Sequence, residues 1–300
     1  MKVLSTPARF LVTLFFITGL IVFSCKKETS GITDNDKQEA SLASAESNAE
    51  AEFVFNDVFD NVIGVNNDVG MQGTGVFGRS MNADPRTERP NSCFTVAIKQ
   101  LAAPAIFPLQ VIIDFGSGCE GKDGHVRKGK IIATYTGRLI IAGNKASVTF
   151  DGFYIDSIQV EGTETITNTA TNGNRQFTVD VENARLSKPN GNYTAWNNHK
   201  VITQTDGLVT PEWALDDVFT VEGNSNGQLK RGDLLANWES EINEPLVKKF
   251  LCRWVVKGVI TSTLGTGAGA WVAVLDYGSG DCDKKATVTI NGSSQEISLH

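Results

Sequence analysis

The chain has 300 residues with 27 basic and 34 acidic side chains, which give a formal net charge of −7. It contains no basic block, and its aromatic residues are not interleaved with arginine or lysine, so the composition argues against a nucleic-acid partner. The length allows one large domain or two smaller ones with an ample hydrophobic core.

The N-terminus has the pattern of a lipoprotein export signal. A basic start is followed by the apolar run 10–23, which is too short to span a bilayer and suits the hydrophobic part of a signal peptide. Ser24 then precedes Cys25, an arrangement that resembles the bacterial lipobox, in which the cut is made before the cysteine and acyl chains are attached to it. The sequence therefore predicts a signal peptide over 1–24 and lipidation of Cys25. An ordinary secretory signal with a chance cysteine is the alternative.

The predicted anchor sets the expected location. Two or more acyl chains hold a protein stably on a bilayer, whereas one chain gives only marginal binding. Lys26 follows the cysteine where an inner-membrane retention signal would have aspartate. We therefore expect an outer-membrane protein whose membrane partner is reached through the N-terminal lipid, in either the periplasmic or the cell-surface leaflet.

Residues 25–52 are rich in Ser, Ala, Glu, Asn and Asp, which predicts a lipid anchor followed by a flexible, solvated tether. A short helix is expected next, capped by Asn48 and ended by Gly64. It would pack one apolar stripe on the rest of the protein. We expect the folded domain to cover 53–300.

From Cys93 onward the pattern is that of β-strands. Alternating or β-branched runs are separated by four Asn-Gly pairs (172–173, 190–191, 226–227, 291–292) and three Asp-Gly pairs (123–124, 151–152, 206–207). Such pairs favour two-residue hairpin turns, because both central residues adopt positive φ. The sequence predicts an all-β fold, either an antiparallel meander or a sandwich-like domain, with one short N-terminal helix.

Five cysteines become an even set once Cys25 is assigned to lipid. An even set outside the cytoplasm indicates disulfides, and no Cys-x-x-Cys spacing suggests a metal or redox site. The segment 111–119 (Val-Ile-Ile-Asp-Phe-Gly-Ser-Gly-Cys) is nearly repeated at 273–282, and each copy has a second cysteine upstream at the start of a strand. Of three possible connectivities, we favour Cys93–Cys119 and Cys252–Cys282, each closing the mouth of a hairpin.

The duplicated motif resembles a family of uncharacterised outer-membrane lipoproteins of Bacteroidota, which carry Asp-(Phe/Tyr)-Gly-x-Gly-x-Cys near both ends of an all-β domain. The similar segments are 111–119, 130–137, 150–162 and 246–299, about half of the mature chain. The resemblance implies location and fold and brings no activity with it.

Acidic residues beside the glycine turns are weak candidates for a calcium site, because calcium binds several oxygen ligands from a tight loop. In the second repeat these are Asp276, Asp281 and Asp283. Their spacing matches no established loop, and aspartate is a common turn residue. We therefore expect turn residues there and no metal or other cofactor.

No catalytic residue can be nominated. The segment Gly223-Asn-Ser-Asn-Gly227 matches the nucleophile elbow formally, but it is expected to be a hairpin turn, whereas the elbow needs a strand-turn-helix context. Asp156-Ser157-Ile158 resembles an O-glycosylation acceptor of exported Bacteroidota proteins, here within a strand-like run. Whether Ser157 is modified is left open.

Three functions remain. The favoured one is a non-enzymatic envelope lipoprotein that binds a protein, glycan or lipid partner or has a structural role. The second is a carrier of lipid or another apolar ligand on the concave face of a curved sheet. The third is a hydrolase, which would need a cleft with convergent acids or a base.

Overall fold

The computed structural model describes residues 34–64, 93–121, 123–171, 175–209, 216–252, 254–265 and 270–299. These contain one helix, α1 (Asp34–Ile63), and fourteen strands. The strands are β1 (Thr95–Gln100), β2 (Leu109–Asp114), β3 (Cys119–Glu120), β4 (Val126–Tyr135), β5 (Lys145–Ile155), β6 (Ile158–Asn168), β7 (Gln176–Ser187), β8 (Tyr193–Asp206), β9 (Val218–Arg231), β10 (Leu234–Lys249), β11 (Val255–Leu264), β12 (Trp271–Ser279), β13 (Lys285–Ile290) and β14 (Ser293–Ser298).

All strands belong to one antiparallel sheet that follows the chain. The order is β1-β2-β4 and then each strand in turn to β14, while the two-residue β3 pairs with the start of β4. The all-β prediction is confirmed, and the meander is the correct one of its two alternatives. Neighbours in sequence are neighbours in the sheet, so short connections suffice.

The strands form because apolar residues alternate with polar ones along them. In β7, Phe177, Val179 and Val181 are buried on one face, and in β13 the same holds for Ala286, Val288 and Ile290. The sheet curves so that this face encloses α1. The helix packs along β8 to β13, and side chains of β4, β5 and β7 reach it as well.

The helix differs from the prediction. It begins at Asp34, not near Asn48, and has 30 residues, so it is not short. The predicted tether over 25–52 is therefore wrong for 34–52, most of which is buried, while 25–33 lies outside the described residues. The predicted end is confirmed, since α1 stops at Ile63 and the Gly64 N–H bonds to the Asp60 carbonyl at 3.2 Å.

The reason is visible in the composition. No glycine or proline occurs between Gly31 and Gly64, and alanine and glutamate, both strong helix formers, make up much of 39–52. Among the described residues, no helix combines the length and the apolar character needed to span a bilayer. The apolar run 10–23 lies outside them.

The glycine pairs fulfil the turn prediction only in part. Asn291 and Gly292 have φ of 50° and 81° and join β13 to β14, as a two-residue hairpin of this type requires. Pairs 226–227 and 151–152 lie inside strands, and 172–173 is outside the described residues. Pairs 123–124, 190–191 and 206–207 lie in turns or at a strand end.

The pair 151–152 forms a β-bulge because two strands approach each other too closely for side chains. A Cβ on Gly129 of β4 would lie only 1.9 Å from the Gly152 carbonyl oxygen of β5. Both glycines have positive φ, and the β4–β5 register shifts at this point. A bulge increases local twist, which helps the sheet curve.

Both favoured disulfides are confirmed. Cys93 joins Cys119 across the open end of the β1–β2 hairpin, with 5.3 Å between Cα atoms. Cys252 joins Cys282 across the open end of the β11–β12 hairpin, with a Cα separation of 5.7 Å. In the chain-entropy model, closing loops of 26 and 30 residues stabilises the protein by about 3 kcal/mol or slightly more each.

We predict that Gly227→Ala destabilises the protein by steric conflict. A Cβ there would lie 2.3 Å from the Trp238 ring and 2.6 Å from the Ala195 carbonyl oxygen. Overpacking of this kind lowers the free energy of unfolding by about 1–3 kcal/mol, which urea denaturation measures. Gly118→Ala is the matched control, because its Cβ would meet only Val126 at 3.8 Å. Equal stabilities of the two variants would contradict the prediction.

Candidate functional site

The most unusual part of the molecule is the polar interface between α1 and the inner face of the sheet. α1 has eight acidic residues and one lysine, so its formal charge is 1 − 8 = −7. Its apolar side chains, including Phe55 and Phe59, pack on aromatic rings of the sheet. Buried carboxylates are costly unless paired, so the sheet has to supply cations.

The central pair joins Glu52 of α1 to Lys200 of β8. Both side chains are only 4% exposed. The Lys200 ammonium also lies 5.0 Å from the centre of the Trp196 ring, a cation–π contact. Because both charges are removed from water, each is tolerated only with the other in place.

Arg127 of β4 binds two carboxylates at once. Its guanidinium donates to Asp57 of α1 at 2.5 and 2.9 Å and to Asp123 at 2.6 and 3.1 Å. Burial alone would lower the pKa of Arg127, but the two adjacent carboxylates raise it above its ordinary value. Asp123 is affected oppositely: burial raises its pKa, and the bond to Arg127 outweighs this and lowers it. This fully buried guanidinium connects the helix to the Asp123–Gly124 turn.

The last turns of α1 need compensation because acidic residues there oppose the helix dipole. Lys248 of β10 supplies it, bonding to the Asp60 carboxylate at 2.5 Å and to the Asn56 carbonyl at 3.3 Å. The buried Tyr135 hydroxyl donates to the Val62 carbonyl at 2.8 Å. Two carbonyls near the end of the helix therefore have partners on the sheet.

Further contacts fix the middle of α1. Asn48 accepts hydrogen bonds from the Trp196 indole at 3.3 Å and from the Ser225 hydroxyl at 3.0 Å. Two more ion pairs join the helix to the opposite end of the sheet, Glu46–Arg231 and Glu50–Lys188, both at 2.7 Å.

Glu164 of β6 is the exception among the buried acids. It is 1% exposed, and neither of its carboxyl oxygens has a hydrogen-bond partner within the described ranges. Burial and the negative charge of Asp60 raise its pKa well above the usual range, although Lys200 and Lys248 act in the opposite direction. These two lysines already pair with Glu52 and Asp60, so their attraction does not offset burial and Glu164 favours its neutral form.

Two of the candidate acids of the second repeat accept a backbone N–H two residues ahead. Asp276 accepts the Gly278 N–H at 2.8 Å and Asp283 accepts the Lys285 N–H at 2.9 Å. Asp281 is exposed in the same loop. In the part of the chain that the structure describes, no three His, Cys, Asp or Glu side chains are grouped to hold a metal ion. Asp283 lies in the β12–β13 loop, as expected of a turn residue, whereas Asp276 lies inside β12 and pairs with Val259 and Thr287.

Two sequence interpretations need correction. Ser157 lies in the exposed two-residue turn between β5 and β6, not within a strand, so its hydroxyl is accessible. The segment 223–227 lies inside β9 and is not a hairpin turn. Its strand continues through Ser225, which rules out the strand-turn-helix context of a nucleophile elbow. Cys25 lies outside the described residues.

The buried cations do not stand out when each basic residue is considered singly. The alternation along the strand nevertheless identifies them. Lys200 lies an even number of residues from Trp196 and Ile202, which are buried, so all three side chains are on the same face of β8. Arg127 is likewise on the same face of β4 as the buried residues Ile131 and Tyr135. A charged residue on the apolar face of a strand indicates a buried partner.

The histidines of the described ranges pair with acidic side chains. In the described ranges, His125 and His199 contact carboxylates, Asp156 at 2.7 Å and Asp180 at 2.6 Å. Neither ring contacts a serine hydroxyl or a thiol there, so the nucleophile of a triad is missing from their surroundings. The inward cations Arg127, Lys200 and Lys248 face carboxylates of α1.

We predict that Lys200→Met strongly destabilises the fold, because Glu52 would remain buried without a cation. Breaking a buried pair from one side lowers the free energy of unfolding by about 3–5 kcal/mol, measurable by urea denaturation. Lys285→Met is the matched control, since Lys285 and Glu296 form a pair whose side chains are both more than half exposed. Its effect should stay below about 1 kcal/mol. Equal losses would contradict the prediction.

We predict that Glu164→Gln reduces the loss of stability at high pH. The folded-state pKa of Glu164 is raised, so its contribution is fully present below the unfolded-state pKa and is lost as the pH rises through the folded-state value. The variant cannot ionise and should gain stability relative to the wild type as the pH rises above the ordinary glutamate pKa of 4.5. Urea denaturation at a series of pH values measures this difference. Parallel stability curves for the two proteins would show that Glu164 ionises normally.

Comparison of the chain with protein-family models, with curated proteins and with solved structures finds no match.

Proposed function

We propose that the protein is an outer-membrane lipoprotein anchored through Cys25, and that its all-β domain is a non-enzymatic binding or structural module. The run 10–23 followed by Ser24 and Cys25 supports the anchor. The two disulfides support an oxidising compartment outside the cytoplasm. The duplicated cysteine motif supports membership of the Bacteroidota lipoprotein family that it resembles.

The observation that carries the non-enzymatic assignment is the helix inside the sheet. The concave face of a curved sheet is where a site would be enclosed, and here α1 lies against it along β8 to β13. Its carboxylates neutralise the inward cations Arg127, Lys200 and Lys248. Function is therefore expected at the outer surface and the loops, as in a scaffold or binding module.

The carrier hypothesis receives less support. A groove of about 320 Å³ lies between α1 and the β13–β14 hairpin. Leu42, Val288 and Ile290 line it together with Gln38, Glu39, Ser293, Ser294 and Gln295. Its volume is at the lower limit of ligand pockets, which measure about 300–1,000 Å³, and only three of its eight lining residues are apolar.

We predict that Cys25→Ala abolishes acylation. Cells that express the wild type should incorporate radiolabelled palmitate into the protein and place it in the outer-membrane fraction, while the variant should remain unlabelled. The reason is that the thiol of Cys25 is the attachment atom in the proposed lipobox. Cys252→Ala with Cys282→Ala is the control, because it removes two thiols without touching the lipobox. Equal labelling of wild type and Cys25→Ala would refute the anchor.

Native mass spectrometry of residues 26–300 distinguishes a binding or structural module from a carrier of an apolar ligand. The expected mass is that of the polypeptide with two disulfides and no bound lipid. One acyl ligand per chain, lost on Leu42→Asp in the groove, would instead establish the carrier.

A further inference from the structure

One loop of the molecule exposes a continuous apolar segment. The β1–β2 loop, residues 101–108, reads Leu-Ala-Ala-Pro-Ala-Ile-Phe-Pro and contains no charged or hydrogen-bonding side chain. Its first six residues are exposed, and Leu101 and Ile106 are 44% and 63% exposed. Contiguous exposed apolar residues on a soluble domain mark an interaction site more often than isolated ones do.

The loop has a defined shape. The Leu101 N–H bonds to the Pro108 carbonyl at 3.0 Å, and the Ala105 N–H bonds to the Ala102 carbonyl at 2.9 Å. Its backbone is therefore held, so the apolar side chains are presented at little further entropic cost.

A second apolar tip lies beside it. Leu109, which follows the first loop, pairs with Tyr135, which precedes the β4–β5 loop, residues 136–144. The two loops therefore leave the same end of the sheet from neighbouring positions. Ile141 of the second loop is 54% exposed, and the Ile141 N–H and the Asn144 side chain both bond to the Arg138 carbonyl.

Within the two loops and the strands that flank them over 95–113 and 128–150, every charged side chain is basic. Lys99, Arg138 and Lys145 are exposed on or next to the two loops. No acidic residue occurs over 95–113 or over 128–150, although the chain as a whole is acidic. Apolar tips surrounded by basic side chains match an anionic bilayer surface, where aliphatic groups enter the acyl boundary and cations contact the headgroups.

We propose that the β1–β2 and β4–β5 loops form a second membrane contact, which inserts Leu101, Ile106 and Ile141 into an anionic bilayer. A protein partner fits less well, because interface centres are enriched in aromatic residues and the exposed tips here are aliphatic and lie on separate loops. This membrane contact extends the proposed envelope function. It rests on that function only in taking the outer membrane as the bilayer that the loops meet.

The position of α1 defines how an anchored domain would meet that bilayer. α1 ends at the loops' end of the sheet, where Val62 meets Tyr135, and begins at the opposite end, where Lys37 lies over Trp271. A helix of 30 residues is about 45 Å long. The nine residues 25–33 reach at most about 30 Å. With both contacts made to one bilayer, the domain lies on its side.

The test is vesicle flotation of residues 26–300, which lack the acylated cysteine. All described residues lie within the compact unit Asp34–His300, so this chain retains every contact of the fold. Vesicles of phosphatidylethanolamine with about a third phosphatidylglycerol should float the protein, whereas phosphatidylcholine vesicles or high salt should release it.

Leu101→Ser with Ile106→Ser should lower the vesicle-bound to free ratio by about tenfold, because two aliphatic side chains no longer insert. Leu235→Ser with Val272→Ser is the matched control, since both residues are exposed at the opposite end of the sheet. The control should bind like the wild type.

Three results would overturn the proposal. The first is no flotation of the wild-type chain, and the second is equal flotation of the loop variant. The third is vesicle-independent self-association that the loop variant abolishes, which would make the loops a protein interface. None of these affects palmitate labelling at Cys25, so failure here is distinct from failure of the anchor.

Discussion

The structure depends on enclosing an acidic helix within a sheet. α1 carries eight acidic side chains, yet most of its residues are buried. Apolar contacts such as Phe59 against Phe177 and Phe219 provide the burial that favours folding. The ion pairs contribute differently. A buried pair adds little net stability compared with apolar residues of equal size, but any arrangement that separates its two charges is strongly disfavoured. We infer that they fix the rotation and axial position of α1.

This constraint extends across the sheet. Partners of α1 come from β4 (Arg127), β8 (Lys200), β9 (Arg231) and β10 (Lys248). Strands so far apart in a sheet can face one helix only if the sheet curves strongly, so the helix and the curvature require each other. Close approaches such as Gly129 to Gly152 provide local twist at the points where the register shifts. The outer face of the sheet takes no part in this packing, so its residues can be polar and exposed.

The features that the sequence predicts correctly are local ones. Alternation identifies the strands, and the repeated cysteine hairpins give both disulfides, because each links residues only 26 or 30 positions apart. The helix is predicted only in part, since its polar first half is rich in Ser, Asn and Glu like a tether, although its alanines and glutamates and its lack of glycine and proline favour a helix. The partners of Asn48 lie 148 and 177 residues away, so no local pattern could place it. The glycine pairs at 151–152 and 226–227 resemble turns in sequence because close packing between strands also selects glycine.

The order of pairing along the chain also has a consequence for folding. Each strand pairs with its sequence neighbour, so the sheet can grow one hairpin at a time as the chain emerges. α1 is made before all of the strands, yet its contacts with Lys248 and Arg231 span 188 and 185 residues. Most of the stability of a helix in a folded protein comes from tertiary packing of one of its faces. Among the described elements, the first to be synthesised therefore docks among the last, and until then the inner face of the growing sheet is exposed and prone to aggregation.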